Sequence, residues 1–104
     1  MSNPTFKDCL GQDVSVGDIC VAFIGEMNRN SVKQVIFLIT KVIIIPLSYP
    51  RKEPLIRFEA ESISEKYQWY SDSGPFKWLL INPMFYLTNN DVLNILEKKK
   101  EMKL

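Results

Sequence analysis

The stretch KDCLGQDVSVGDICVAF, residues 7–23, leads from a polar, glycine-containing segment directly into alternating apolar residues. From Ile19 onward, successive side chains point to opposite faces, as in a strand with one face in a core. The aspartates of this stretch lie five positions apart, whereas calcium loops place their ligands at alternate residues. We therefore interpret Asp8, Asp13 and Asp18 as turn residues that introduce the first strand of a β fold.

The composition is that of one ordinary globular domain without a strong charge. A chain of 104 residues can bury one core, so we expect a single domain over residues 1–104. Thirteen Lys and Arg against twelve Asp and Glu give a net charge of +1, so any contact with nucleic acid must come from a local patch. The N-terminal MSNPTFKDCLG has no apolar signal-peptide region, and the apolar run VIFLITKVIIIPL is too short to span a bilayer. We predict a cytoplasmic protein that does not contact membranes.

The middle of the chain alternates between apolar runs and turn-forming segments. The run VIFLITKVIII, residues 35–45, predicts a long, largely buried strand that bends near Thr40 and Lys41, with a buried helix as the alternative. The preceding GEMNRNSVKQ, residues 25–34, predicts an exposed loop because it is rich in glycine, asparagine and charge. The following PLSYPRKEP, residues 46–54, predicts a second loop because proline cannot donate to a strand ladder.

The second half of the chain changes from strand to helix periodicity. LIRFEAESI, residues 55–63, predicts a strand whose inward side chains are Ile56, Phe58 and Ala60. Residues 67–81 predict a hairpin that turns at DSGP, and MFYLT, residues 84–88, predicts a further short strand or extended segment. The remainder begins with cap-type residues and then repeats apolar residues at helical spacing, which predicts a helix over about residues 89–101 that packs through Val92, Ile95 and Leu96.

The residue types argue against catalysis. The chain has no histidine, so it lacks the usual general base and the Ser-His and Cys-His pairs of nucleophilic enzymes. Its four glycines are isolated and form no phosphate-binding loop. Cys9 and Cys20 fit no zinc pattern, and we interpret them as reduced structural thiols, with a disulfide between them as the alternative. We therefore predict no enzyme activity, no cofactor and no metal site.

One dense aromatic and basic cluster is the first candidate contact surface. Lys66, Tyr67 and Tyr70 lie in one segment, and the predicted hairpin brings Lys77 opposite them. Aromatic side chains beside cations are typical of surfaces that stack bases or anchor a protein partner. Trp69 and Trp78 belong to the same segment, and we interpret them as core residues.

Two loops carry the second set of candidate residues. Arg29 and Lys33 lie in the predicted loop over residues 25–34, and Arg51 and Lys52 lie in the proline-rich loop. If both loops lie at the same end of a barrel, their charges converge and can contact phosphates or an acidic protein surface. The alternative is that these four are solvated loop charges.

The segment around Val16, Gly17, Asp18, Ile19 and Val21 resembles the opening of SH3-like and KOW-like β-barrels, in which a polar turn ending in Val-Gly-Asp introduces the first strand. The layout is similar to that of small barrel proteins of tailed phages, including transcription-modifying accessory proteins. The resemblance implies a mainly β fold: an SH3-like small β-barrel of five to six antiparallel strands over about residues 7–88, followed by the C-terminal α-helix.

The expected function follows from this resemblance and from the candidate surfaces. It is a non-enzymatic interaction module, a phage accessory protein in the host cytoplasm that binds and modulates a host protein or protein–nucleic acid complex such as the transcription machinery. Direct binding of DNA or RNA through the basic loops is one alternative. A structural role in the virion is another.

Overall fold

The computed structural model describes residues 4–25, 32–46, 55–71 and 78–102. Within these ranges the chain forms seven strands, a short 3₁₀ helix and one α-helix. The strands are β1 (Phe6–Lys7), β2 (Asp13–Val14), β3 (Ile19–Gly25), β4 (Val32–Ile45), β5 (Leu55–Glu61), β6 (Lys66–Tyr70) and β7 (Trp78–Leu80). The 3₁₀ helix spans Pro83–Tyr86, and the α-helix α1 spans Asn90–Glu101.

All strand pairs among the described residues are antiparallel. β1 and β2 form a two-stranded sheet, and the other strands form a five-stranded sheet with the order β6-β5-β4-β3-β7. The predicted mainly β fold of five to six antiparallel strands with a C-terminal helix is confirmed. Over the described ranges the five-stranded sheet is not closed, because β6 and β7 lie at its opposite edges.

β4 is the central strand and the longest, at 14 residues. Residues 35–39 are all buried, as expected for a strand that is covered on both faces. Its register with β5 shifts between Ile39 and Lys41, where the Thr40 hydroxyl donates to the Glu59 carbonyl at 3.1 Å. The long strand and its irregularity near Thr40 agree with the prediction.

The predicted loop over residues 25–34 is wrong at both of its ends. Gly25 belongs to β3, and Val32, Lys33 and Gln34 belong to β4, where Gly25 pairs with Val32. Polar residues such as Lys33 and Gln34 are compatible with a strand end that faces solvent. Their polarity therefore does not distinguish a loop from a strand. Residues 26–31 of this loop and residues 47–54 of the proline-rich loop lie outside the described residues.

One face of the five-stranded sheet packs against β1 and β2 through aromatic rings. Phe6 stacks on Phe58 with ring centroids 4.1 Å apart, and Phe58 meets Trp78 edge-on at 4.7 Å. Trp78 is buried, and its indole N–H donates to the carbonyl of Lys7 at 3.0 Å. Trp69 is half-buried against the same cluster. Both tryptophans therefore contribute to the core, as the sequence predicted.

The opposite face packs against α1. Val92 and Ile95 are fully buried, and Leu96 is partly buried, against a second apolar cluster that includes Ile19, Ile36, Leu38 and Ile81. The helix begins after Asn89, whose side chain accepts a hydrogen bond from the Asp91 amide at 2.9 Å. The predicted helix and its packing residues are confirmed.

The Asp8 carboxylate joins the first turn to β7. It accepts hydrogen bonds from the backbone amides of Leu10 and Gln12 at 2.9 and 2.8 Å, and from the backbone amide of Leu80 at 2.9 Å. The neighbouring amide of Cys9 donates to the carbonyl of Trp78 at 3.0 Å. Burial raises the pKa of Asp8, but these hydrogen bonds outweigh it and hold that pKa below its ordinary value.

The second turn of the opening stretch depends on Asp18 and glycine. Gly17 has a φ of 93°, in the left-handed region that favours glycine, and the Asp18 carboxylate accepts from the Ser15 amide at 2.9 Å. The interpretation of Asp8 and Asp18 as turn residues is therefore confirmed. Asp13 instead lies in β2, where it forms an ion pair with Lys7.

Two predictions about the second half of the chain are wrong. Residues 67–81 do not form a hairpin, because β6 pairs with β5 whereas β7 pairs with β3 at the other edge of the sheet. The segment MFYLT is not a strand, because its first three residues belong to the 3₁₀ helix Pro83–Tyr86. Asn82 caps this helix by accepting from the Met84 amide at 3.0 Å, and the proline fits its first turn.

Candidate functional site

Four of the eight predicted contact residues lie in the part of the chain that the structure describes: Lys33, Lys66, Tyr67 and Tyr70. Arg29, Arg51, Lys52 and Lys77 lie outside the described residues. The predicted convergence of the two basic loops therefore stays a prediction.

Lys33 is a strand residue rather than a loop residue. It lies near the start of β4, and its Nζ is 3.5 Å from Glu65 Oε1. Both side chains are about half exposed, at 53% and 49%. At this exposure the ion pair adds little stability, but it holds a cation beside the turn that follows β5.

Tyr67 approaches the same glutamate from β6. Its hydroxyl donates to Glu65 Oε2 at 2.6 Å, and its ring stacks on Trp69 with centroids 4.9 Å apart. Burial, together with the hydrogen bond to Glu65, raises the pKa of Tyr67 to about 12. The same hydrogen bond, followed by the charge of Lys33, lowers the pKa of Glu65. Glu65 therefore connects Lys33 and Tyr67.

The turn that carries Glu65 is fixed by its own backbone and by α1. The Ser62 amide donates to the Glu65 carbonyl at 2.8 Å, and the Glu65 amide donates to the Ser62 hydroxyl at 3.1 Å. From α1, Lys98 Nζ donates to the Ser62 carbonyl at 2.8 Å. The turn is thus anchored to the helix.

These elements enclose a cleft of about 170 Å³, which we call the β4–β6 cleft. The cleft is lined by two buried residues, Val35 and Ile36. Its walls are mostly polar and come from β4, the turn after β5, β6 and the first turn of α1; they comprise Lys33, Gln34, Ser62, Ile63, Ser64, Tyr67 and Asp91. The cleft therefore offers charges of both signs and hydrogen-bonding groups.

The other two described candidates do not line this cleft. Lys66 is 87% exposed, and its Nζ is 3.9 Å from Glu61 Oε1. Tyr70 lies at the far end of β6, where it pairs with Arg57 of β5. The structure thus brings Lys33 and Tyr67 together and leaves Lys66 and Tyr70 outside.

Several residues of the cleft were not predicted. Ser62 and Glu65 form a local turn, and the serine three residues before the glutamate is a sequence signal for it. Asp91 lies in the first turn of α1. No local signal could place it in the cleft, because its position depends on how α1 docks on the sheet.

Acidic side chains and thiols are the remaining described groups that could carry chemistry. No group of three or more His, Cys, Asp or Glu side chains in this part of the chain could hold a metal ion. Cys9 and Cys20 are both free thiols, and burial raises the pKa of Cys20, with a further contribution from Asp18 and Asp8. Over the same residues, no helix is long and apolar enough to cross a membrane.

Comparison with known proteins assigns no family: no protein-family model, curated protein or solved structure matches this chain. The resemblance to SH3-like phage proteins therefore stays a prediction. The function must be inferred from the geometry of the surface itself.

Proposed function

We propose that this protein is a non-enzymatic interaction module, a phage accessory protein that binds and modulates a host protein or protein–nucleic acid complex such as the transcription machinery. The β4–β6 cleft is the contact site in this proposal. The observation that carries it is that Lys33 and Tyr67, which come from different strands, line one concave site. Concave sites with a few converging polar groups are where proteins place recognition.

The size of the cleft indicates what enters it. Sites for drug-sized ligands and cofactors have volumes of roughly 300–1,000 Å³. At about 170 Å³ the β4–β6 cleft is smaller than that range and suits one side chain of a partner protein. The partner side chain would hydrogen-bond to the serines and charged groups that line the cleft.

The charges around the cleft favour a protein partner over direct contact with nucleic acid. The two described lysines of the predicted site, Lys33 and Lys66, lie 3.5 and 3.9 Å from glutamate oxygens. Asp91 adds a further negative charge to the wall. A phosphate backbone would meet these carboxylates as well as the lysines, which weakens the electrostatic attraction on which binding of nucleic acid depends.

An affinity pull-down from host lysate tests the proposal when Lys33→Glu is compared with a matched control. Lys7→Glu is that control, because Lys7 also pairs with an acidic residue, is 65% exposed and lies outside the cleft. We expect a specific protein to be retained by the wild type and by Lys7→Glu and lost with Lys33→Glu. Nuclease treatment should not release it, because a protein surface makes the contact.

A second variant tests the cleft without changing a charge. Ser64→Trp places a large side chain at the rim, and it should reduce retention of the same protein by blocking entry. Equal retention by Lys33→Glu, Ser64→Trp and the wild type would refute the cleft as the contact site. Retention that disappears on nuclease treatment would instead support direct binding of nucleic acid.

A further inference from the structure

Exposed apolar side chains form a row along the chain, from the 3₁₀ helix to the start of α1. In the 3₁₀ helix, Met84 is 65% exposed and Phe85 is 83% exposed. Tyr86 and Leu87, which follow, are each 43% exposed, and Leu93 of α1 is 39% exposed. Single exposed apolar residues are ordinary, but a run of consecutive ones marks an interaction surface.

An apolar groove adjoins this row. It is open, with a volume of about 810 Å³, and its apolar lining consists of Leu87, Leu93, Leu96 and Met102. Leu87 directly follows the 3₁₀ helix that exposes Met84 and Phe85. The groove therefore begins at the residue that ends the exposed 3₁₀ helix.

The groove is lined by both acidic and basic side chains. Glu97, Lys99 and Lys100 line it, and Glu97 and Lys100 form an ion pair at 3.6 Å. Lys98 is engaged elsewhere, because its Nζ donates to the Ser62 carbonyl. Over its whole length α1 holds three acidic and three basic residues, so it is formally neutral.

This charge pattern points to one occupant. A strongly acidic or strongly basic partner would place like charges opposite part of the rim, which costs affinity. A second copy of the same surface, related by a two-fold axis, can place each Glu97 beside the Lys100 of the other copy. The net charge of +1 also gives two copies little long-range repulsion.

We propose that this surface forms a symmetric homodimer. In the dimer, Met84 and Phe85 of each copy enter the groove of the other copy, between Leu87, Leu93 and Leu96. Such a contact is self-complementary, as a two-fold interface requires, and it closes without exposing a further apolar surface. The inference does not depend on the β4–β6 cleft, because the described linings of the cleft and the groove share no residue.

Sedimentation equilibrium of the full chain over about 1 μM to 1 mM tests the dimer. The wild type should show a concentration-dependent dimer, and Phe85→Ser should weaken it by about 30-fold or more, as expected for a central aromatic contact. Phe23→Ser is the matched control, because Phe23 is 60% exposed on β3 and lies outside the surface. It should leave the dimer unchanged, and circular dichroism should show that both variants fold.

A charge exchange tests the symmetry of the contact. Glu97→Lys alone should weaken the dimer by about tenfold, and adding Lys100→Glu should restore it, because opposite charges again face each other. A wild-type monomer throughout the concentration range would overturn the proposal, and so would a dimer that Phe85→Ser does not weaken. A monomer that instead adsorbs through Phe85 to phosphatidylcholine–phosphatidylserine vesicles would also overturn it.

Discussion

Replacing Asp8 by Asn should destabilise the fold far more than its single-atom change suggests. The carboxylate is 8% exposed and accepts from the amides of Leu10 and Gln12 through one oxygen and from the amide of Leu80 through the other. An Asn side chain has only one accepting oxygen, so either orientation leaves at least one of these amides without its acceptor. Hydrogen bonds to a charged group contribute about 1.5–3 kcal/mol, so we expect the free energy of unfolding to fall by about 2–3 kcal/mol.

Urea unfolding at pH 7, followed by tryptophan fluorescence, measures this loss. Asp13→Asn is the matched control, because Asp13 lies in the neighbouring strand β2 but is 61% exposed in an ion pair with Lys7. A surface pair of this kind contributes about 0–1 kcal/mol. Equal losses in the free energy of unfolding for Asp8→Asn and Asp13→Asn would refute the conclusion that the Asp8 carboxylate holds the first turn to β7.

The pH dependence provides a second check. The pKa of Asp8 is lower in the folded protein than its ordinary value of 3.8, so the charged group stabilises the folded state. That stabilisation is complete above pH 3.8 and is lost as the pH falls through the lower pKa of the folded state. The difference between wild type and Asp8→Asn should therefore shrink in acid, because Asn does not titrate. A difference that stays constant down to about pH 2 would contradict this account.

Three further predictions follow from burial and hydrogen bonding. Ile95→Ala should lower the free energy of unfolding by about 2–5 kcal/mol, because Ile95 of α1 is fully buried against the sheet. Leu10→Ala, at a residue 72% exposed, should change it by less than about 0.5 kcal/mol in the same urea titration. Cys9 is exposed and should react with a disulfide reagent in the folded protein. Cys20 is buried, which raises its pKa, and it should react only on unfolding. Rapid labelling of the Cys9→Ser variant without denaturant would contradict this. Tyr67→Phe should raise the pKa of Glu65 towards its ordinary value, since the Tyr67 hydrogen bond is the largest cause of its lowering, and a carboxyl NMR titration measures the change.

The strands that could be predicted from sequence are those whose signal is local. Alternation of apolar and polar residues predicted β5 with Phe58 and Ala60 buried, and β-branched residues predicted β4. The same alternation predicted a strand at β7 but not its pairing with β3, because that partner is selected by distant contacts. The amide of Leu80 donates to Asp8, which lies 72 positions earlier in the chain, and no local pattern reports such a contact.

The candidate site shows the same limit. The sequence marks Lys33 and Tyr67 as a cation and an aromatic residue, but its polar composition predicts a loop for Lys33, which lies in β4. What brings them together is the turn at Ser62 and Glu65, and the docking of α1 then adds Asp91. The residue types of a binding surface could therefore be predicted, whereas their arrangement depends on the pairing of β4 with β5 and on the packing of the helix.

α1 connects the two proposed surfaces, and this determines which variants can separate them. Asp91 lines the β4–β6 cleft and Lys98 anchors its turn, whereas Leu93 and Leu96 line the groove. A change that weakens the packing of the helix on the sheet, such as Ile95→Ala, should therefore impair both partner binding and dimerisation. Lys33→Glu and Phe85→Ser each change one exposed side chain and leave the helix core intact. If the two surfaces act independently, Lys33→Glu should remain dimeric and Phe85→Ser should still retain the partner.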